Sequence, residues 1–266
     1  MLIRGPGIFP EGTSAIVGEN GANADMLQDF SIVSLGAGRR LESGMPRERA
    51  WLLMTGAVRF SWGSSSAVAE RHSLLNEQPW VLHVPASEQV VVEATTDAEL
   101  SFHATGNEGS FPPRLYAPEE CRSELRGAGT MRETSTRIVR TVFDGTNAPA
   151  ANLVLGEVVT LPGRWSSFPP HHHPQPEIYH YRFLPANGFG FATVGDEAHV
   201  VRSGDTTLIR EGQVHPQAAA PGYAMWYLWV IRHLDGRRYR DPTFVQEHAW
   251  TMRADAEIWS PGGGNT

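Results

Sequence analysis

Short runs rich in β-branched and aromatic residues, separated by turn-forming pairs, constrain the fold of this chain more than any other feature. The runs are LLMTGAVRFSW (52–62), WVLHVP (80–85), QVVVEAT (89–95), ELSFHA (99–104), NLVLGEVVTL (152–161), EIYHYRF (177–183), DTTLIRE (205–211) and YAMWYLWVI (223–231). Each reads as a strand. Asn187-Gly188, Gly195-Asp196, Gly204-Asp205 and Asp235-Gly236 fall between or after them, and such pairs close tight turns because their residues tolerate positive φ. The pattern predicts an all-β fold. The 27 glycines and 19 prolines suit turns better than helix interiors, and YAPEECRSELRG (116–127) is the segment read as a short helix. The C-terminal SPGGGNT is expected to fray.

Compared with itself at an offset of 125 residues, the chain shows a weak internal repeat: Gly163 of LPGRW falls on Gly38 of GAGRR, and His215 falls on Val90. Two copies of one β unit are the reading. A chain of 266 residues that is 41% apolar can bury such a core without covalent help. Its single cysteine, Cys121, forms no internal bridge and fits a reducing compartment. The N-terminus lacks a basic region followed by an apolar run, and no stretch approaches the length of a membrane span, so a cytoplasmic location is expected. Net charge is −7 with no basic stripe, which argues against a nucleic-acid or anionic-membrane partner and favours a small molecule. All 22 basic residues are arginine. Without lysine there is no side-chain amine for Schiff-base chemistry on a sugar carbonyl.

The chemistry-bearing segment is PPHHHPQPEIYHYRF (169–183), followed by His215 in REGQVHPQAAA. Alternate residues of an extended strand share a face, so His171 and His173 point together while His172 points away, and Glu177 has the same parity. His215 arrives from another strand. Three imidazoles and one carboxylate suit a divalent transition metal: zinc, manganese, iron, nickel or cobalt. His72, His83, His103, His199, His233 and His248 have no such partners in the sequence and are assigned to packing or surface hydrogen bonds.

GRWSSFPPHHHPQPEIYHYRF and GDTTLIREGQVHPQAAAPGYAMWYLWVIRHL resemble the second half of the 5-deoxy-glucuronate isomerases of inositol catabolism, in which WSS-(Y/F)-PPH-x-H leads into an E-(I/V)-Y-x-YRF strand. The same segments are similar to the two general cupin motifs. The resemblance is close over about the last half of the chain and looser over the first, through RERAWLLMTGAVRF and VLHVPASEQVVVEA. Three details depart from the pattern: Ser166 stands at the usual glycine of the first motif, Arg210 at the proline of the second, and the link from His173 to Glu177 is short.

The resemblance implies a bicupin, two jelly-roll barrels in one chain, with residues 1–130 a barrel lacking metal ligands and 131–266 a barrel holding one divalent ion, zinc, manganese or iron, through His171, His173, Glu177 and His215. It implies an aldose–ketose isomerase that converts 5-deoxy-D-glucuronate to 5-dehydro-2-deoxy-D-gluconate, a uronate sugar being the small-molecule partner. Glu177, Tyr179 and Tyr181 share one strand parity, and with Glu177 on the metal the general base is Tyr181 or a hydroxide held by the ion. Both tyrosines equally suit buried, hydrogen-bonded roles. The substrate carboxylate calls for a guanidinium. Arg182 has the opposite parity and is expected to brace the barrel from outside, and parity does not rank Arg164, Arg202 and Arg232. Competing readings are an isomerase of a pectin-derived 5-keto-4-deoxyuronate, an iron-dependent cupin dioxygenase, and a non-catalytic sugar-binding cupin. Exposed sheet edges predict a homodimer or higher homo-oligomer.

Overall fold

The computed structural model describes residues 1–253 and 255–261, so most of the SPGGGNT segment expected to fray lies outside the described residues. All eight predicted runs form strands, the longest being Glu48–Trp62. The hairpin pairs also act as expected: Gly195-Asp196 joins Phe189–Val194 to Glu197–Arg202, with Val194 opposite Glu197.

Nine strands between residues 12 and 116 pair with one another around Glu48–Trp62. A seven-stranded sheet runs in the order Leu2–Ile3, Thr206–Ile209, Glu177–Leu184, Ala224–Arg232, Leu153–Thr160, Arg137–Phe143, Arg122–Arg126. A four-stranded sheet of Trp165–Ser166, Gln217–Ala219, Phe189–Val194 and Glu197–Arg202 faces it. The N-terminal strand thus joins the sheet built by the second half, with Leu2 opposite Thr207.

Strand alternation sorts the apolar residues into three cores. Trp51 and Leu53 point into the first set of strands with Val33, Phe60 and Val92. Ala50, Leu52 and Met54 point the other way, into a shared core with Leu155, Ile178, Trp226 and Leu228 from the second half. Val139, Val158, Tyr179, Tyr181, Met225 and Tyr227 fill the interior of the second barrel. A sheet with both faces covered needs no polar alternation, which is why every residue of Leu153–Thr160 is buried.

Ion pairs fasten the halves together. Glu157 accepts from Arg71 of the first half and Arg140 of the second, both at 2.7 Å and all three buried. Arg182 does brace its barrel from outside, its Nη2 donating to both carboxylate oxygens of Glu99 at 2.9 Å. The internal repeat has a local echo: Gly38 and Gly163 both adopt positive φ, and their amides donate to Ala94 O and Ala220 O.

The segment 116–127 is not a helix. Only Pro118–Glu120 makes a single 3₁₀ turn, closed by Glu120 accepting from the Ala117 amide. Arg122–Arg126 is an edge strand paired to Arg137–Phe143. Its exposed charges blunt that edge.

Candidate metal centre

Glu177 opens its strand, and the alternation that follows carries Tyr179, Tyr181 and Phe183 into the barrel interior. Ile178, His180 and Arg182 face the first half, where His180 meets Phe9 and Phe30. The parity reading of this strand therefore describes the molecule. His171 and His172 form a two-residue strand against Thr243 and Phe244. His215 is delivered by a turn in which Gly212, at φ +75°, donates its amide to His173 O at 3.1 Å. A side chain at that φ would strain the turn, so this glycine is what ties the second motif to the first.

His173, Glu177 and His215 place potential ligand atoms within 4.8 Å of one another, and all three are buried. His173 Nε2 lies 3.1 Å and His215 Nε2 3.3 Å from Glu177 Oε2. His171 stands at the rim, half-buried, its ring centroid 4.8 Å from that of His215. Each imidazole is anchored through Nδ1 to a backbone carbonyl: His171 to Pro169 O at 3.0 Å, His173 to Gln175 O at 2.9 Å, and His215 to Gln213 O at 2.8 Å. A carbonyl only accepts, so these bonds put the proton on Nδ1 and leave the lone pair on Nε2.

Lone pairs facing a carboxylate oxygen at about 3 Å repel unless a positive charge sits among them. Buried His215 Nε2 makes no hydrogen bond at all. The donor set, imidazole nitrogens with one carboxylate oxygen, fits a divalent transition metal, and the backbone carbonyls behind the rings are the orienting partners such ligands need.

Burial alone would push the Glu177 carboxyl up, but the His173 and His215 rings beside it outweigh that effect and hold the pKa at about 2. Burial, with His215 beside it, lowers His171 to about 3. Both groups are thus in their ligating forms at neutral pH. Burial raises Tyr181 well above its ordinary value, and its hydroxyl donates to Gln217 Oε1 at 2.7 Å beside Thr207 Oγ1 at 2.8 Å. Tyr181 is therefore a neutral, fully bonded phenol. Tyr179, raised for the same reason, bonds Ser167 Oγ at 3.0 Å, and Ser166 Oγ lies 2.5 Å from Tyr227 OH.

The remaining candidates lie elsewhere. Arg202 is exposed and Arg164 half-buried, while Arg232 reaches Asp235 Oδ1 at 3.3 Å. His83 bonds buried Glu48 at 2.9 Å, and His103 bonds Ser101 at 3.0 Å. Sequence reasoning missed the cover over the ligands: Tyr239 packs 5.0 Å from His173 and Phe244 5.8 Å from His171, ring centroid to centroid. Tyr239 and Phe244, set in the polar run RRYRDPTF (237–244), were the available signal. It also missed Arg137, buried in the same barrel.

Two packed β-barrel units with a histidine and carboxylate cluster inside one of them define a cupin-type protein. The fold of a Bacillus subtilis oxalate decarboxylase variant agrees, with a TM-score of 0.65 at 12% identity over 92% of this chain and 78% of that one. Within that class the chain belongs to the KduI/IolB family, whose model matches residues 2–251. A crystal structure of an IolB-like protein from Salmonella typhimurium LT2 superposes with a TM-score of 0.84 at 26% identity, covering 94% of this chain and 98% of that one. The 5-deoxy-glucuronate isomerase of Geobacillus kaustophilus (strain HTA426) is 34% identical over 193 residues. That alignment spans 66% of this chain and 66% of the relative, just under two thirds of its length.

Proposed function

We propose that the chain is a metal-dependent aldose–ketose isomerase that interconverts 5-deoxy-D-glucuronate and 5-dehydro-2-deoxy-D-gluconate in inositol catabolism. The observation that carries this reading is the convergence of Nδ1-anchored imidazoles on Glu177 inside the second barrel, in a chain related to proteins named for that isomerisation. His171, His173, Glu177 and His215 are the residues assigned to hold the ion. When bound, a divalent metal there supplies Lewis acidity toward the substrate's carbonyl and hydroxyl oxygens. Glu177, ionised throughout the working range and at the centre of the cluster, is assigned as a ligand, so no side chain of its strand is assigned the proton that moves between C2 and C1. Tyr181 stays protonated and holds Gln217 in place. Tyr179 and Tyr227, joined through Ser166 and Ser167, line the barrel interior beside the cluster. No imine route through a side-chain amine exists, because the chain has no lysine.

The test is to incubate the metal-loaded protein with 5-deoxy-D-glucuronate and follow ketose formation by NMR while monitoring dissolved oxygen. Ketose formation without oxygen uptake is expected. Turnover of 5-keto-4-deoxyuronate alone, or oxygen consumption with the sugar, would replace this reading with one of its competitors.

A further inference from the structure

Among the described residues, buried arginines are matched by carboxylates or saturated by carbonyls, with one exception. Arg71 and Arg140 share Glu157. Arg49 has no close carboxylate, yet spreads its donors over the carbonyls of Arg47, Ser43, Pro85 and Glu88 and the Ser43 hydroxyl. Arg137 is only 8% exposed and has two bonds, Nη1 donating to Ser135 O at 2.9 Å and Nη2 to Phe168 O at 3.0 Å. Its Nε finds no partner, and among the described residues no Asp or Glu lies within ion-pair distance of it. A guanidinium offers five N–H donors, so most of this fork is unused. A buried charge without a counter-ion is costly to keep.

The place of Arg137 says what the missing counter-ion is. Its strand parity is that of Val139, which points into the second barrel, and directly opposite stands Thr160, whose buried hydroxyl is also unbonded. That same interior holds the rings of Tyr179 and Tyr227. These are the tyrosines that border His215 and Glu177, Tyr179 with its ring centroid 5.7 Å from that of His215. Phe168, whose carbonyl it holds, lies three residues before His171. In an extended six-carbon uronate the carboxylate stands about 6 Å from C1, five carbon–carbon bonds away. The unmatched guanidinium lacks a counter-ion, and a uronate substrate brings a carboxylate into the barrel that holds both Arg137 and the ligand cluster.

We propose that Arg137 binds the carboxylate of the uronate substrate and thereby makes the site select an acid sugar over a neutral one. The inference rests on the isomerase reading above. A planar guanidinium takes a carboxylate through two parallel N–H···O bonds, and the same contact serves product as well as substrate, since the carboxylate does not react. Arg137 also holds the loop before His171, so its loss would disturb any substrate to some degree. The diagnostic quantity is therefore a ratio.

The experiment compares kcat/KM for 5-deoxy-D-glucuronate with that for 5-deoxy-D-glucose, which carries CH₂OH where the acid has its carboxylate. Turnover of the acid by the wild-type protein establishes the isomerase reading, and absence of turnover refutes that reading separately. Arg137→Met should reduce the acid-over-neutral ratio by roughly 10-fold to 100-fold, the worth of a charged hydrogen-bonded contact. Arg137→Lys, which keeps a cation but loses the fork, should fall between. An unchanged ratio in both variants, or loss of discrimination in Arg164→Met instead, overturns the proposal. If neither Arg137 variant folds, a structure of the wild-type protein soaked with the acid decides: carboxylate oxygens on the Arg137 fork support it, and a carboxylate elsewhere overturns it.

Discussion

An imidazole that has given its Nδ1 proton to a backbone carbonyl can ligate only through Nε2, and the three anchored rings share this restriction. His172 lies between two of them and has no part in the cluster. His173→Ala should therefore strip the metal, by mass spectrometry of the purified protein, and His172→Ala should leave about one ion per chain. The reverse result would refute the strand parity. Histidines also set the acid stability. Burial lowers His103 to about 3 and His233 to about 4 from an unfolded value of 6.5, so both stay neutral in the fold. As pH falls below 6.5 the unfolded chain takes up protons that the folded one refuses, and stability drops down to the folded values near 4 and 3. The melting temperature of metal-free protein should decline steadily from pH 7 toward pH 4. A flat profile would show that these rings are not buried neutral. His103→Gln should reduce the decline.

Among elements, the C-terminal cover and the inter-barrel ion triad make separable predictions. The strand Thr243–Phe244 pairs with His171–His172, and Val245 donates its amide to Pro170 O at 2.9 Å. Tyr239→Ala combined with Phe244→Ala should weaken metal binding about 10-fold to 100-fold, as loss of a supporting shell does elsewhere, with the metal titrated in competition with a chromophoric chelator. Unchanged affinity would make the cover a passive tail. Glu157→Gln leaves two buried guanidiniums without their carboxylate, and should cost about 3–5 kcal/mol in urea unfolding. A loss below 1 kcal/mol would show that the carbonyl contacts of Arg71 and Arg140 suffice. The same elements mark how far the sequence could be read. Strands dense in valine, isoleucine and aromatics were legible from composition, whereas Arg122–Arg126 was not, because RSELR is made of helix formers and becomes a strand only by pairing with Arg137–Phe143. The cluster of His173, Glu177 and His215 was legible from alternation along PPHHHPQPE and from the motif resemblance. Arg137 was not, because its role depends on which sheet face closes over the ligands, and no local spacing encodes that. Tyr239 and Phe244 come into place only when the chain beyond the last long strand folds back.

At the scale of the whole molecule, both halves are barrels with buried interiors, but one interior is apolar and the other carries the ionisable cluster. Val90, which falls on His215 in the internal repeat, is a buried core residue of the first interior. The shared core and the Arg71–Glu157–Arg140 triad couple the halves, so each barrel supports the other. The proposed isomerisation of a uronate requires a single divalent ion held in the second barrel. The direct measurement is turnover of 5-deoxy-D-glucuronate by protein stripped with a chelator and then titrated with zinc, manganese or iron(II) under anaerobic conditions. Activity should vanish on stripping, return in proportion to metal up to one equivalent per chain, and fail to return in His215→Ala. Full turnover by the metal-free protein would contradict the account and leave His173, Glu177 and His215 with a structural role.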